Sequence, residues 1–131
     1  MESKHIFVVE DEKHTRYTLA LLLKRAGHKV TAFDDGLKAF DSIVELTNRS
    51  EPIDLVVLDI QLPGLTGLEL IDELMSLDLS MPILVITGCG YHNMEDDLKS
   101  KGCVGYLEKP LTSEDVLSNI NTLLEPEGTL Q

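Results

Sequence analysis

The chain has 131 residues, 43% of them hydrophobic and 26% charged, which suits one globular domain with a core of its own. A net charge of -12 argues against nucleic-acid binding by this domain, because phosphate backbones would be repelled. No apolar run approaches the ~20 residues of a membrane span. The N-terminal Met1-Glu2-Ser3-Lys4-His5 also lacks the apolar segment of a signal peptide, so a cytoplasmic location away from membranes is expected.

In chain order, Ile6 to Val9 is a buried apolar strand ending in Glu10-Asp11-Glu12. Leu19, Leu22, Leu23 and Ala26 then recur at helical spacing, and Gly27 stops the helix. Val30 to Phe33 is a short mixed strand suited to a sheet edge. Asp35 can cap a helix whose apolar face is Ala39, Phe40, Ile43 and Val44. Leu55 to Leu58 is an unbroken apolar run, as in a strand buried on both faces, and Asp59 ends it. Pro63, Gly64 and Gly67 impose an irregular loop before a helix marked by Ile71, Leu74 and Met75. Ile83 to Ile86 is the fourth strand, ending at Thr87-Gly88-Cys89-Gly90.

The next helix has only a thin stripe of Tyr91, Met94 and Leu98 among Glu95, Asp96, Asp97 and Lys99, which predicts an element held loosely. Val104 to Leu107 is the fifth strand, ending at Glu108-Lys109-Pro110, where the proline implies a constrained turn and admits a cis bond. Thr112 or Ser113 caps a last helix with Val116, Leu117, Ile120, Leu123 and Leu124 inward. Residues 1–124 are thus the expected domain, and 125–131, with Pro126 and Gly128, a frayed tail or the start of a linker.

Five β-α units with short connections imply a doubly wound α/β domain, a parallel sheet with helices on both faces. Such sheets place their chemistry at the C-terminal strand ends. That edge collects Glu10, Asp11, Asp59, Thr87 and Lys109. A lone aspartate after a strand is more often a cap or turn acid, and a lone lysine or threonine more often a surface or turn residue. Together at corresponding strand ends they make a site. Converging carboxylates repel one another, and oxygen-only ligands of high charge suit Mg²⁺. Asp11 and Asp59 are the expected direct ligands, with Glu10 acting directly or through water and the backbone carbonyl of Gln61 as a further ligand. Lys109 and Thr87 supply the positive charge and the hydroxyl that a phosphoryl group needs on arriving at Asp59 as nucleophile.

These marks, Val8-Val9-Glu10-Asp11-Glu12, Asp59 with Pro63 and Gly67, Thr87-Gly88, and Tyr106-Leu107-Glu108-Lys109-Pro110-Leu111, resemble the receiver domain of bacterial two-component response regulators, of the chemotaxis-regulator (CheY-like) type. The resemblance runs from about Lys4 to Leu124 and implies the flavodoxin-like (βα)5 fold with strand order 2-1-3-4-5. It also implies that a sensor histidine kinase or histidine phosphotransfer domain phosphorylates Asp59. The matching Glu10 and Asp11 would hold Mg²⁺, and Thr87 and Lys109 would contact the phosphoryl group. By the same resemblance, Tyr106 swings inward behind Thr87, switching the face of the fourth helix, fifth strand and fifth helix toward a downstream target or covalent output domain. A phosphorylation-dependent dimer is compatible with it. The domain would be a phosphoacceptor switch rather than an enzyme.

Gln61, Gly88 and Cys89 flank the site where side chains tune hydrolysis, and Gly88 should leave it open. Cys89 and Cys103 have neither redox-motif nor zinc spacing and are expected to be reduced thiols at opposite ends of the sheet. The acids around Cys89 disfavour its thiolate, which argues against a redox role. His5, His14, His28 and His92 lack metal-ligand spacing and are expected on the surface.

Rival readings fit less well. A nucleotide- or flavin-binding domain needs a phosphate cradle where this chain has Glu10-Asp11-Glu12. An aspartyl phosphatase needs an Asp-x-Asp after the first strand. The remaining alternative is a phosphorylation-independent interaction module on the receiver fold.

Overall fold

The computed structural model describes residues 3–79 and 81–124. Five parallel strands alternate with five helices: β1 His5–Val9, α1 Lys13–Arg25, β2 Lys29–Phe33, α2 Gly36–Asn48, β3 Leu55–Asp59, α3 Gly67–Ser76, β4 Ile83–Thr87, α4 Met94–Ser100, β5 Gly105–Glu108 and α5 Ser113–Leu124. The strand order is β2-β1-β3-β4-β5, the flavodoxin-like order that the family resemblance implied. Residues 125–131, read from the sequence as tail or linker, lie outside the described residues.

Alternation along the strands divides the core into two layers. Phe7, Val9, Val56, Leu58 and Val85 face α2, α3 and α4, meeting Ala39, Ile43, Leu70, Ile71, Leu74, Met94 and Leu98. Ile6, Val8, Val57, Leu84 and Ile86 face α1 and α5, meeting Leu19, Leu23, Val116 and Ile120. All five residues of β3 and of β4 are buried, as expected for central strands covered on both sides. Burying each such Leu, Ile or Val contributes about 1.5–3 kcal/mol before chain entropy is counted.

Several sequence expectations are corrected. Met75 lies on the solvent side of α3, 48% exposed, and Leu70 takes the inward position instead. Ala26 is the exposed C-cap of α1 rather than part of its apolar face. Tyr91 precedes α4 and is exposed, because the helix begins only at Met94. Val104 is exposed just outside β5. His28 is buried, contrary to a surface placement, because its Nδ1 accepts a hydrogen bond from the Lys4 amide at 3.2 Å where the chain enters β1. His5 is half-buried with Nε2 2.8 Å from the Thr31 hydroxyl, while His14 and His92 are exposed. Thr112 rather than Ser113 caps α5, its hydroxyl accepting from the Asp115 amide at 3.1 Å. The Lys109–Pro110 bond is cis.

Candidate functional site

The site lies on the C-terminal edge of the sheet, where β1, β3, β4 and β5 end. Parallel register sets Val9 beside Leu58 and Asp59 beside Ile86, so Glu10 and Asp59 emerge on adjacent strands. The three acids after β1 have separate duties. Glu10 is wholly buried, and its Oε2 accepts the Glu12 amide at 3.0 Å. Asp11 is exposed. Glu12 turns away to cap α1, accepting the Thr15 amide at 2.7 Å, the Thr15 hydroxyl at 2.6 Å and the His14 amide at 3.0 Å. The Thr15 hydroxyl and these amides hold the Glu12 carboxyl down at about 2. Arg16, one turn into α1, donates to the carbonyls of Glu10 at 3.0 Å and Asp11 at 3.2 Å. It fixes the path of the acidic loop, a role that its sequence position alone does not reveal.

Asp59 is 2% exposed and its side chain is held from both sides. Oδ1 accepts the Gln61 amide at 2.9 Å and Oδ2 accepts the Lys109 ammonium at 3.0 Å. The loop beyond it is clamped by close backbone approach. A Cβ on Gly67 would collide with the Ile60 Cα and stand 2.6 Å from the Asp59 carbonyl oxygen, so only glycine fits. Its amide donates to the Ile60 carbonyl at 3.1 Å. Thr66 and Glu69 then close a capping box at the head of α3, with bonds of 3.2 and 2.9 Å. The Thr-x-x-Glu spacing is a capping-box signal that the sequence itself carries.

Lys109 bridges the two buried acids, 2.9 Å from Glu10 Oε1 and 3.0 Å from Asp59 Oδ2. Its amide donates to the Thr87 carbonyl at 2.8 Å, which extends the β4–β5 ladder to the site. Burial acts to lower the lysine pKa, but Glu10 and Asp59 together outweigh it and the net direction is upward. Burial raises the Glu10 carboxyl, and proximity to Asp59 adds to that rise against the pull of Lys109 and the Glu12 amide.

The structure therefore brings Glu10, Asp11, Asp59 and Lys109 together. One carboxylate oxygen from each of Glu10, Asp11 and Asp59 lies within 4.8 Å of the others. The donors are all oxygen, and buried Glu10 Oε1 makes no aligned hydrogen bond despite its ion pair with Lys109. This set fits a hard divalent cation such as Mg²⁺.

Thr87 is fully buried at the end of β4, and its hydroxyl is engaged by its own loop. It donates to the Cys89 carbonyl at 3.0 Å and accepts the Cys89 amide at 3.1 Å. Gly88 faces the site with room to spare, since a Cβ there would stand 3.9 Å from both Gln61 Oε1 and Lys109 Cδ. Cys89 is exposed and free, and Cys103 is buried and free, with burial pushing its thiol up to about 11. Tyr106 is half-buried and packs against the core layer that holds α4. A cavity of about 370 Å³ lies between it, the β4–α4 loop and α4, with Glu108 at its edge.

Residues 6–121 match the model of the response regulator receiver domain family. The chain is 32% identical over 120 residues to the transcriptional regulatory protein FixJ of Bradyrhizobium diazoefficiens, covering 92% of this chain and 56% of that protein. It is 31% identical over 121 residues to the receiver protein CpdR of Brucella abortus, covering 92% and 97% respectively. The chain spans about half the length of several relatives that it matches. A CheY-like receiver domain from Methanospirillum hungatei superposes with a TM-score of 0.82 at 24% identity, over 94% of each chain, which shows a shared fold. No helix among the described residues is long and apolar enough to cross a membrane.

Proposed function

Since the chain belongs to the receiver-domain family of two-component response regulators, we propose that Asp59 is its phosphoacceptor and that the domain is a switch rather than an enzyme. The observation that carries this is the pairing of a buried Asp59 with Lys109 beside Glu10 and Asp11. Asp59 Oδ2 would take the phosphoryl group, the oxygen that now holds the lysine. Oδ1 stays bound to the Gln61 amide, which keeps the carboxylate oriented for in-line attack. The carboxylates of Glu10, Asp11 and Asp59, with the Gln61 carbonyl, would hold Mg²⁺. The ion supplies charge neutralisation for the phosphoryl oxygens when bound. Lys109 moves its ammonium from the carboxylate to the phosphoryl oxygens, and Thr87 contributes a hydroxyl once it leaves the Cys89 carbonyl. Gln61, Gly88 and Cys89 border the path of attacking water and set the lifetime of the phosphorylated state.

Upstream, the expected donor is a sensor histidine kinase or histidine phosphotransfer domain. An apolar groove of about 310 Å³ between α1 and α5 reaches Lys109, giving such a donor a surface beside the acceptor. Downstream, loss of the Thr87–Cys89 bonds frees space into which Tyr106 turns, altering the α4–β5–α5 face read by a target or output domain. Residues 1–124 are the proposed domain, working in the cytoplasm.

The test is intact mass after incubation with acetyl phosphate, with and without Mg²⁺, for the natural sequence and for Asp59→Asn. A single Mg²⁺-dependent phosphoryl adduct, lost in the variant, is expected. No adduct from either acetyl phosphate or a phosphohistidine donor would leave the interaction-module reading instead.

A further inference from the structure

The loop between β4 and α4 is closed at both ends by side-chain hydrogen bonds. At its start, the Thr87 hydroxyl uses both its proton and a lone pair on Cys89, at 3.0 and 3.1 Å. At its end, the Tyr91 hydroxyl donates to Asp97 Oδ2 at 2.6 Å. Only Gly90 separates the two closures, so a displacement of Cys89 has one residue in which to dissipate. The phenol–carboxylate bond is charge-assisted and short, and it lies at the surface beside the exposed Tyr91 ring. The hydrogen bond to Asp97 pushes the Tyr91 phenol up to about 12.

The construction of α4 makes this tether matter. The helix has seven residues, and its N-cap Asn93 sits in the left-handed region at φ 61 with no side-chain cap bond. The Met94 amide bonds the Tyr91 carbonyl at 3.0 Å, but only at the first helical residue, where fraying is easiest. The Tyr91 hydroxyl reaches Asp97, which is a turn further in and whose amide bonds the Asn93 carbonyl at 3.0 Å. The other end of α4 is fastened independently: Lys101 Nζ meets Asp72 Oδ1 of α3 at 2.7 Å. The helix is thus anchored at its C-terminal end and coupled to the loop at its N-terminal end.

We propose that Tyr91 is a positioning residue whose hydroxyl, bonded to Asp97, transmits the state of the Thr87 hydroxyl to the N-terminal half of α4. While Thr87 is bonded to Cys89 the loop is drawn back toward β4 and α4 is held with it. When the Thr87 proton goes elsewhere, the loop relaxes and pulls on Asp97. The part of this that concerns phosphorylation rests on Asp59 as acceptor; the mechanical link itself does not.

The experiment separates the two. Amide ¹H–¹⁵N shifts of residues 94–100 are compared in the ligand-free natural protein, Thr87→Val, Tyr91→Phe and the double variant. Thr87→Val removes the hydroxyl and is expected to displace the α4 amides. In the Tyr91→Phe background that displacement should fall to about half or less, the non-additivity of coupled sites. Asp97→Asn, which leaves a weaker acceptor, should reduce it less than Tyr91→Phe does. Equal displacement with and without the Tyr91 hydroxyl, or none on Thr87→Val, would overturn the link. Folding cooperativity in denaturant, measured on each variant, should be unchanged, so that a merely structural loss is distinguished. In a second arm, Mg²⁺ and beryllofluoride are added as a stable phosphoryl stand-in. Amides at 59, 87 and 109 should respond in both the natural protein and Tyr91→Phe, and those of α4 fully only in the former. If the amides at 59, 87 and 109 do not respond in the natural protein, the acceptor role of Asp59 fails, while the ligand-free comparison still decides the role of Tyr91.

Discussion

Helices α3 and α4 follow the two strands that deliver Asp59 and Thr87, yet they are held in opposite ways. α3 begins with a complete capping box, is pressed against the backbone of Ile60 at Gly67, and buries Leu70, Ile71 and Leu74. α4 has an uncapped start, two buried side chains, Met94 and Leu98, and one short tether from a loop containing two glycines, Gly88 and Gly90. The contrast divides the site into a fixed half and a movable half. Asp59, the proposed acceptor, leads into the fixed half, where a displacement of an ångström would disrupt chemistry. Thr87, the proposed sensor at the end of β4, leads into the half that can move at low cost.

The largest break in this contrast comes from Gly67→Ala. Its methyl group meets backbone rather than a flexible side chain, so a loss of about 2–4 kcal/mol is expected, read as a lower denaturation midpoint. Gly88→Ala is the matched control on the movable side: its Cβ finds 3.9 Å contacts, and stability should stay within about 0.5 kcal/mol. The dephosphorylation rate of an Asp59 adduct is the quantity Gly88→Ala should change.

Glu10→Gln comes next. Burial raises the Glu10 carboxyl in the fold, so the stability it contributes when protonated is lost as pH rises from its unfolded pKa through its folded one. The neutral variant should therefore be more stable at pH 7 without metal. The difference should vanish only as pH falls below the unfolded pKa, where Glu10 is protonated in both the folded and the unfolded state. Mg²⁺ affinity, followed by titration, should drop in the same variant, the sign of a residue kept for function at some expense of stability.

Removing the cap from the fixed half, Thr66→Ala, should cost about 1 kcal/mol in chemical denaturation. The smallest effect is expected on the movable half. Asn93→Gly relieves a left-handed residue at φ 61, but asparagine tolerates that region and glycine gains unfolded-state entropy. A change within about 0.5 kcal/mol, of either sign, is expected there. A loss as large as that of Thr66→Ala would contradict the weak anchoring of the start of α4.

Much of this molecule was legible in its sequence because the dominant signals are local. Continuous apolar runs at Leu55–Leu58 and Ile83–Ile86 identify buried strands without reference to anything else, and a polar residue that ends each run must lie at the sheet edge. The acids, Thr87 and Lys109 could therefore be assigned to one edge from chain order and right-handed connections alone. What tertiary structure decided was how similar residues divide their labour. Glu10, Asp11 and Glu12 are equivalent on paper. Position relative to α1 made the first a buried partner of Lys109, the second an exposed carboxylate and the third a helix cap. Met75 lies outside because the buried stripe of α3 runs through Gly67, Leu70, Ile71 and Leu74, and residue 75 falls beyond its edge. His28 was drawn inside by the Lys4 amide, 24 residues away, and Tyr91 met Asp97 across the start of a helix. Each depends on the direction of a side chain relative to a surface made by another element, and that direction exists only after the chain has packed.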